Sequence, residues 1–478
     1  MNQPETASVI SSSAEVSSAE YFAQRQLKQG TVGWLLLIGL GVAYVISGDF
    51  AGWNFGIAQG GWGGMFIATA LAALMYLCLC LSMSEMSTMM PTAGGGYSFA
   101  RAAFGPFGGY LTGTAILIEY AIAPAAIAVF IGGYCESLFG INGWMIYLAC
   151  YAIFMGIHLK GAGEALKIMF AITLVAAVAL VVFIGAMIPH FNAQNLFDIP
   201  VGTAAGASHF LPHGYLGIWA AVPFAIWFFL AVEGVPLAAE EAKDPAKSLP
   251  RGLIGAMLIL TAFAMLILFL GAGAAGASTL QNSGAPLVDA LVKVYGTNTW
   301  LATFVNFVGL AGLIASFFSI IYAYSRQIFA LSRAGYLPTS LSLTNKNKAP
   351  YLAIIIPGII GFLLSLTKEG DSLILIAVFG ATISYVLILL SHIKLRLSKP
   401  DMPRPYKTPG GIITSSIALV LAVAAVVAGF VVNPKVWFIA AGIYVVFIAY
   451  FLFYSRYHLV KGTPEEEFAN IKAAEQEL

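Results

Sequence analysis

Three acidic residues lie inside long apolar stretches, where an ionised carboxylate is costly. Asp49, Glu119 and Glu233 have apolar neighbours on both sides, and no Lys or Arg lies at comparable depth in these stretches. A carboxylate at the centre of a bilayer costs at least about 2.5–3.5 kcal/mol, so it persists mainly where it has a function. Three acids without a basic partner predict a site for a protonated amine, a proton or a metal ion. The alternative is that all three are protonated and hydrogen-bonded for helix packing.

Aromatic residues flank the same acids. They are Phe50, Trp53, Tyr120, Trp227 and Phe229. An ammonium group over an aromatic face gains about 0.5–2 kcal/mol, so a cation site is expected to use such rings. Aromatic residues in apolar helices commonly serve packing instead. We expect Trp227 and Phe229, which lie just before Glu233, to form walls of the site.

Two of the apolar stretches carry residues that interrupt helices. The first contains Ser-Gly-Asp-Phe-Ala-Gly at 47–52, and the sixth contains Glu-Gly-Val-Pro at 233–236. In a bilayer, backbone groups freed by Gly and Pro must face protein, a cavity or a ligand. Broken helices at corresponding positions of two halves are the best sequence indication of a transporter's substrate site. The alternative is ordinary packing glycines, which membrane helices use freely.

The composition indicates a protein that is mostly embedded in lipid. Of the 478 residues, 59% are hydrophobic and 9% are charged, whereas soluble domains carry roughly 25% charged residues. A membrane-spanning helix needs about 20 apolar residues. We predict twelve such helices, at 33–58, 63–83, 106–134, 143–158, 167–188, 216–238, 252–275, 299–326, 351–366, 371–392, 412–432 and 436–455.

The distribution of basic residues supports this count and sets the orientation. With the N-terminus inside, all of the 23 Lys and Arg residues except Lys293, Lys368 and Lys435 fall in cytoplasmic segments. An excess of Lys and Arg in cytoplasmic loops is the rule for membrane proteins. We therefore predict a multi-pass protein with both termini in the cytoplasm.

Three separated segments resemble the amino acid–polyamine–organocation (APC) superfamily of permeases. PTAGGGYSFARAAFG at 91–105 is similar to that group's loop before the third helix. EEAKDPAKSLPRG at 240–252 resembles its loop after the sixth helix, and YSRQIFALSRAGYLP at 324–338 resembles the end of its eighth helix. ISGDFAGWNFG at 46–56, followed by GGWGG at 60–64, looks like the bacterial ethanolamine permease branch.

The resemblance implies an all-α membrane protein that works by alternating access. Its expected core, 30–396, contains two inverted five-helix repeats at about 33–188 and 216–392, with the first and sixth helices broken. Helices eleven and twelve would occupy 397–456, with cytoplasmic tails at 1–29 and 457–478. Partners are a small amine substrate and the lipid bilayer of a bacterial inner membrane, with no nucleic acid and no resident cofactor or metal.

The resemblance also suggests roles for individual residues. In relatives, a small-residue motif in the first helix holds the substrate's carboxylate. Trp227, Leu230 and Glu233 match the Trp, Ile, Glu spacing of the sixth helix in arginine–agmatine exchangers. Glu119 aligns with a substrate-contacting position. The full set of expected substrate contacts is Ser47, Gly48, Asp49, Phe50, Glu119, Tyr120, Trp227, Phe229 and Leu230.

Asp49 departs from the family motif, because it stands about where the last glycine is expected. It would repel a substrate carboxylate and attract an ammonium. We therefore expect an importer of ethanolamine or a close amine, driven by protons or sodium, in which Asp49 and Glu119 hold the ammonium. Glu233 would carry the coupling proton. Ser316 and Ser319 could bind sodium, although serines in such helices more commonly pack.

Other functions make different demands on the sequence. Within the same class, the protein could be an amino-acid permease or an exchanger. A channel or a ligand-sensing receptor would need a large cytoplasmic output domain, and the predicted inside segments are short. A membrane enzyme would need a nucleophile–base or metal constellation, and the predicted helices show no paired His or Cys set.

Overall fold

The computed structural model describes residues 32–296 and 300–460, together with Leu27 and Gly30. The described chain is helical throughout and contains isolated β-bridges but no strand. The predicted N-terminal tail and most of the predicted C-terminal tail lie outside the described residues.

Sixteen α-helices follow one another along the described chain. They are α1 (Trp34–Val45), α2 (Ser47–Phe50), α3 (Asn54–Met89), α4 (Gly96–Phe139), α5 (Trp144–His158), α6 (Ala162–Met187), α7 (Gly214–Trp227), α8 (Pro245–Leu266), α9 (Ala272–Ala275), α10 (Ala277–Leu280), α11 (Pro286–Tyr295), α12 (Trp300–Arg333), α13 (Tyr351–Ser365), α14 (Gly370–Ser398), α15 (Ile412–Val432) and α16 (Pro434–Phe453).

Local sequence explains several helix ends. Pro434 occupies the first turn of α16, where its missing N–H costs no helical hydrogen bond. The side chain of Asn433 caps that helix by accepting from Val436 N at 3.2 Å. Gly140 ends α4 in the left-handed conformation that glycine adopts without steric cost.

Nine helical segments among the described residues are long and apolar enough to cross a bilayer. Three shorter apolar helices, α1, α5 and α13, lie where the first, fourth and ninth spans were predicted. Each predicted span contains a described helical segment, but several helices are longer than predicted. The helix α4 begins at Gly96 instead of 106, α12 ends at Arg333 instead of 326, and α3 begins at Asn54, inside the first predicted span. The number of membrane crossings and the inverted repeat remain predictions.

The interruptions of the first and sixth helices are present, but their positions differ in detail from the prediction. Ser47–Phe50 forms a single helical turn, and the extended Ala51 and the left-handed Gly52 make the break. In the sixth span the irregular residues are 228–231, ending at Ala231 with φ of 77°. Glu233 therefore follows the break and lies in a tight 3₁₀ segment, Val232–Glu241, instead of in the break itself.

The core lies at the crossing of α4 and α14, which pack along much of their lengths. A Cβ on Gly380 of α14 would lie 2.5 Å from Ala115 O and 2.8 Å from Glu119 N. Only glycine permits this approach, in keeping with the small residues found where membrane helices pack closely. The contact fixes α4 at the level of Glu119.

Candidate substrate site

Asp49 is fully buried on the helical turn α2. Neither of its carboxyl oxygens has a hydrogen-bond partner within residues 32–296 and 300–460. The turn itself is held from two sides, because Tyr134 Oη donates to Phe50 O at 2.9 Å and Trp227 Nε1 donates to Ala51 O at 3.0 Å. A buried polar group normally has a partner, so this carboxyl group is a strong candidate for a ligand contact.

The small residues of the first break allow the sixth span to cross it directly. A Cβ on Gly48 would lie 2.5 Å from Trp227 O, and one on Gly52 would lie 2.6 Å from Trp227 Nε1. Gly48 was predicted to contact substrate, yet its Cα face is packed against the backbone of α7. In this conformation the two broken helices therefore hold each other at the level of Asp49.

A second acidic group lies where α4 meets the segment after the sixth-span break. The buried carboxyl groups of Glu119 and Glu233 are electrostatic neighbours, and both Glu119 oxygens and Glu233 Oε2 have no hydrogen-bond partner within the described residues. Tyr120 Oη donates to Glu233 Oε1 at 3.4 Å, and Tyr385 is an electrostatic neighbour of the same pair. Tyr76 Oη and Tyr385 Oη are 2.8 Å apart. Two neighbouring buried carboxylates cannot both ionise cheaply, so this pair is suited to hold a shared proton.

The structure thus groups Glu119 with Glu233 and leaves Asp49 in separate surroundings. The electrostatic neighbours of the two glutamates are each other and nearby tyrosines, whereas Asp49 has no charged neighbour within the described chain. The expectation that Asp49 and Glu119 jointly hold an ammonium stays a prediction. Tyr134 and Trp227 hold the turn of Asp49, while Glu119 is the electrostatic neighbour of Glu233 in the segment after residue 231.

The predicted aromatic walls are divided between these two acidic groups. Trp227 contacts the break near Asp49, and its ring lies 6.3 Å from that of Phe130. Phe229 belongs with the glutamate pair, because its ring lies 5.5 Å from that of Tyr76. Leu230 is buried at the same irregular segment.

The two predicted sodium-binding serines already make hydrogen bonds. Ser47 Oγ donates to Ser316 Oγ at 2.8 Å, and Ser316 Oγ donates to Tyr44 O at 2.6 Å. Ser319 Oγ donates to Ser316 O, one turn earlier in its own helix. Ser316 thus ties α12 to both sides of Ile46, where α1 gives way to α2, and sodium binding at these serines remains a prediction.

Sequence reasoning missed a buried ion-pair network that follows the sixth span. Glu241 Oε1 accepts from Arg326 Nη2 at 2.9 Å, with both side chains at most 2% exposed. Glu240 accepts from Arg333 at 2.6 Å and from Ala93 N at 2.9 Å. These contacts join three segments that were singled out only as family motifs. On the predicted topology they close the cytoplasmic end.

Tyr44, Tyr76 and Tyr385 were missed as well. They lie in three different helices, each as a single tyrosine in an apolar stretch. No local spacing distinguishes such a residue from one that only packs. The signal that identifies them is their shared proximity to the glutamate pair, which only the fold reveals.

Comparison with known proteins places this geometry in a family. Residues 3–453 match the sequence model described as "Amino acid permease". The chain belongs to this family. It is 28% identical over 407 residues to the branched-chain amino acid permease BcaP of Bacillus subtilis, covering 80% of this chain and 84% of the relative.

Other relatives cover similar shares of both chains. The aromatic amino acid transport protein AroP of Escherichia coli K12 is 25% identical, over 79% of this chain and 83% of its own. An uncharacterized transporter of Rhizobium meliloti is 28% identical, over 80% and 83%. These findings make the protein a multi-pass membrane transporter of the APC superfamily. The family membership indicates transport and not enzymatic catalysis.

Proposed function

We propose that this permease moves a small molecule bearing an ammonium group across a bacterial inner membrane, by alternating access and with both termini in the cytoplasm. The observation that carries the proposal is the unpartnered, fully buried carboxyl group of Asp49 at the point where two broken helices cross. A ligand ammonium supplies the partner that this carboxyl lacks, and a charge-assisted hydrogen bond of this kind contributes about 1.5–3 kcal/mol.

Amino acids are the substrate class that the relatives support. The family is described as amino acid permeases, and the two characterised relatives are named for branched-chain and aromatic amino acids. An amino acid brings an ammonium for Asp49, but its carboxylate would need donors close to the same acid. At the α2 break the amides of Asp49, Ala51 and Gly52 already donate to Ile46 O, Ser47 O and Asn54 Oδ1, so they are not free for a carboxylate.

Ethanolamine, or a close amine, is the candidate that the acids favour. Asp49, Glu119 and Glu233 are buried, while Arg326 and Arg333, two buried cations at the predicted cytoplasmic end, are already paired with Glu241 and Glu240. A substrate carboxylate would add a fourth acidic group to this region, at a Coulombic cost that rises as the dielectric falls. Ethanolamine has the ammonium and lacks the carboxylate. The resemblance of residues 46–64 to the ethanolamine permease branch agrees with this choice.

The other residues have roles that follow from their positions. Trp227 holds the break beside Asp49 and would wall the ammonium site on one side. The pair of Glu119 and Glu233 would take up and release the proton that couples transport to a gradient, with Phe229 packed against it. If sodium is the coupling ion, Ser316 is the first residue to test.

Serine and ethanolamine provide a matched pair of ligands, because serine is ethanolamine with an added carboxylate. Ligand-induced thermal stabilisation of the purified protein should be measured with ethanolamine, serine, leucine and phenylalanine. We expect stabilisation by ethanolamine and none by serine. Stabilisation by amino acids alone would reject the amine and establish the amino-acid alternative.

Asp49→Asn supplies the control for the ammonium contact. It keeps the shape of the side chain and removes its charge, so affinity for the active ligand should fall by about one to two orders of magnitude. Labelled ligand uptake into proteoliposomes, with and without a pH or sodium gradient, would then identify the driving ion. Unchanged affinity in a folded Asp49→Asn protein would remove Asp49 from the site.

A further inference from the structure

A basic cavity lies at the end of α14, beside the first residues of α15. Arg396, Arg404 and Lys407 line it, with Asp401 as the acid in its wall. The cavity has a volume of about 580 Å³ and lies on the predicted cytoplasmic side. Three cationic side chains against one acidic side chain leave its lining positive.

Glu85 positions the two arginines but does not cancel the charge of the cavity. Its carboxylate, fully buried at the end of α3, accepts from Arg396 Nε and from Arg404 Nε, each at 3.0 Å. Arg404 also donates to four backbone carbonyls of residues 395–402, so it holds the loop in shape. With Glu85 counted, one net positive charge remains, and Lys407 presents it on an exposed side chain.

An apolar groove continues directly from this cavity along the lipid-facing side of α15. Ile412 lines both the cavity and the first part of the groove, which runs past Leu74 to Leu421. Leu421 also lines a second part of the groove, which reaches Ala425 and Trp219 between α3, α7 and α15. The cavity and the two parts of the groove therefore follow one another and share lining residues.

The path is long enough to hold one acyl chain through the full depth of one leaflet. Ile412 and Ala425 are 13 residues apart on α15, which corresponds to about 20 Å at 1.5 Å per residue. Half of a hydrocarbon core is about 15 Å thick. Lys and Arg clustered at the end of a membrane helix are the feature that attracts anionic headgroups.

We propose that the cavity and groove together form a binding site for one anionic phospholipid, with its phosphate held by Lys407 and Arg396 and an acyl chain along α15 from Ile412 towards Ala425. Arg404, whose five N–H groups are already used by Glu85 and the loop carbonyls, contributes its positive charge and holds the loop. The charge of the cavity selects the headgroup, and its continuity with the groove selects a lipid over a free phosphate. A lipid here contacts α3, α7 and α15 at once. The site thereby links the membrane to α7, which packs over the break at Asp49.

Native mass spectrometry of the full-length protein tests the proposal with defined probes. Dioleoylphosphatidylglycerol should bind, and dioleoylphosphatidylcholine, which has the same chains without net charge, should bind at least about fivefold more weakly. Lys407→Glu should reduce phosphatidylglycerol binding by about fivefold or more. Lys435→Glu makes the same charge change on the predicted opposite side and should leave binding unchanged. Lys407→Gln should give a smaller loss in the same direction.

The groove has its own pair of variants. Ala424→Phe fills the second part of the groove, beside Leu421, and Val427→Phe adds the same ring on a lipid-facing position outside its lining. We expect loss of phosphatidylglycerol binding in the first and none in the second. Equal binding of the two lipids, equal effects of Lys407→Glu and Lys435→Glu, or full displacement by glycerol 3-phosphate would each overturn the proposal. The last result would indicate a free-phosphate site.

Discussion

Replacing Glu233 with Gln tests whether the glutamate pair carries the coupling proton. Glu233 accepts one long hydrogen bond from Tyr120, at 3.4 Å, and is an electrostatic neighbour of Glu119. Glutamine keeps the accepting oxygen, and its NH₂ group is a donor that Glu119 can use in place of the proton. The substitution therefore preserves the hydrogen bond from Tyr120 and removes the exchangeable proton.

Glu233→Gln should have a small effect on the stability of the fold and a large effect on proton coupling. At most one weak neutral hydrogen bond is disturbed, so the loss of stability should not exceed about 1 kcal/mol. The loss of coupling should be complete. A tenfold proton gradient is worth about 1.4 kcal/mol, which permits about tenfold accumulation of substrate when one proton accompanies each molecule. Without that proton the accumulation ratio falls to about one.

Proteoliposomes separate these quantities. Glu233→Gln protein should exchange labelled for unlabelled substrate at a rate near that of the parent, yet show no accumulation when an inward proton gradient is imposed. Tyr120→Phe is the matched control, because it removes the hydrogen bond to Glu233 Oε1 and leaves the carboxyl, so accumulation should persist. Gradient-driven accumulation by Glu233→Gln would refute the assignment, and loss of exchange would show a gating role instead.

Three further substitutions address the rest of the site. Glu119→Gln tests whether Glu119 also holds the ammonium: if it does, substrate affinity should fall by about one to two orders of magnitude in equilibrium binding, and unchanged affinity would leave Glu119 with the proton alone. Glu241→Gln leaves Arg326 buried without its anion, so the free energy of unfolding should drop by about 3–5 kcal/mol, measurable as a lower melting temperature. An unaltered melting temperature would show that this pair is not a structural clamp. Ser316→Ala should abolish any sodium dependence of uptake, while persisting dependence would place the ion elsewhere.

The sequence was sufficient to predict the helical architecture, because hydropathy directly records which segments face lipid. It also predicted that the first and sixth spans are interrupted. The position predicted for the second interruption was too late in the chain. Gly234 and Pro236 are poor helix formers, but the backbone departs from the α-helix before them. The left-handed residue is Ala231. No residue preference identifies an alanine in this conformation, which the packing of the two breaks imposes.

Which residues come together in the site was harder to predict from the sequence than where along the chain the site lies. Glu119 and Glu233 were singled out separately from the cost of burying a carboxylate, but their proximity joins residues more than a hundred positions apart. Tyr385 is farther still along the chain. The ion pair of Glu241 with Arg326 was not predicted for the same reason. Each of the two residues, taken alone, looks like an ordinary charge at the end of a membrane helix.

The separation of Asp49 from the glutamate pair has a physical consequence for how recognition and coupling communicate. Tyr44 touches both regions. Its carbonyl accepts from Ser316, which is bonded to Ser47 on the turn of Asp49. Its ring lies against Gly234, where an added Cβ would be 3.0 Å from Tyr44 Cε2. A packed contact of this kind transmits displacement, because a close-packed interior has few voids into which a displaced side chain could move. On the proposed function, a shift of the segment around Glu233 on proton release would therefore move Tyr44 and, through Ser316, the turn that presents Asp49 to the substrate.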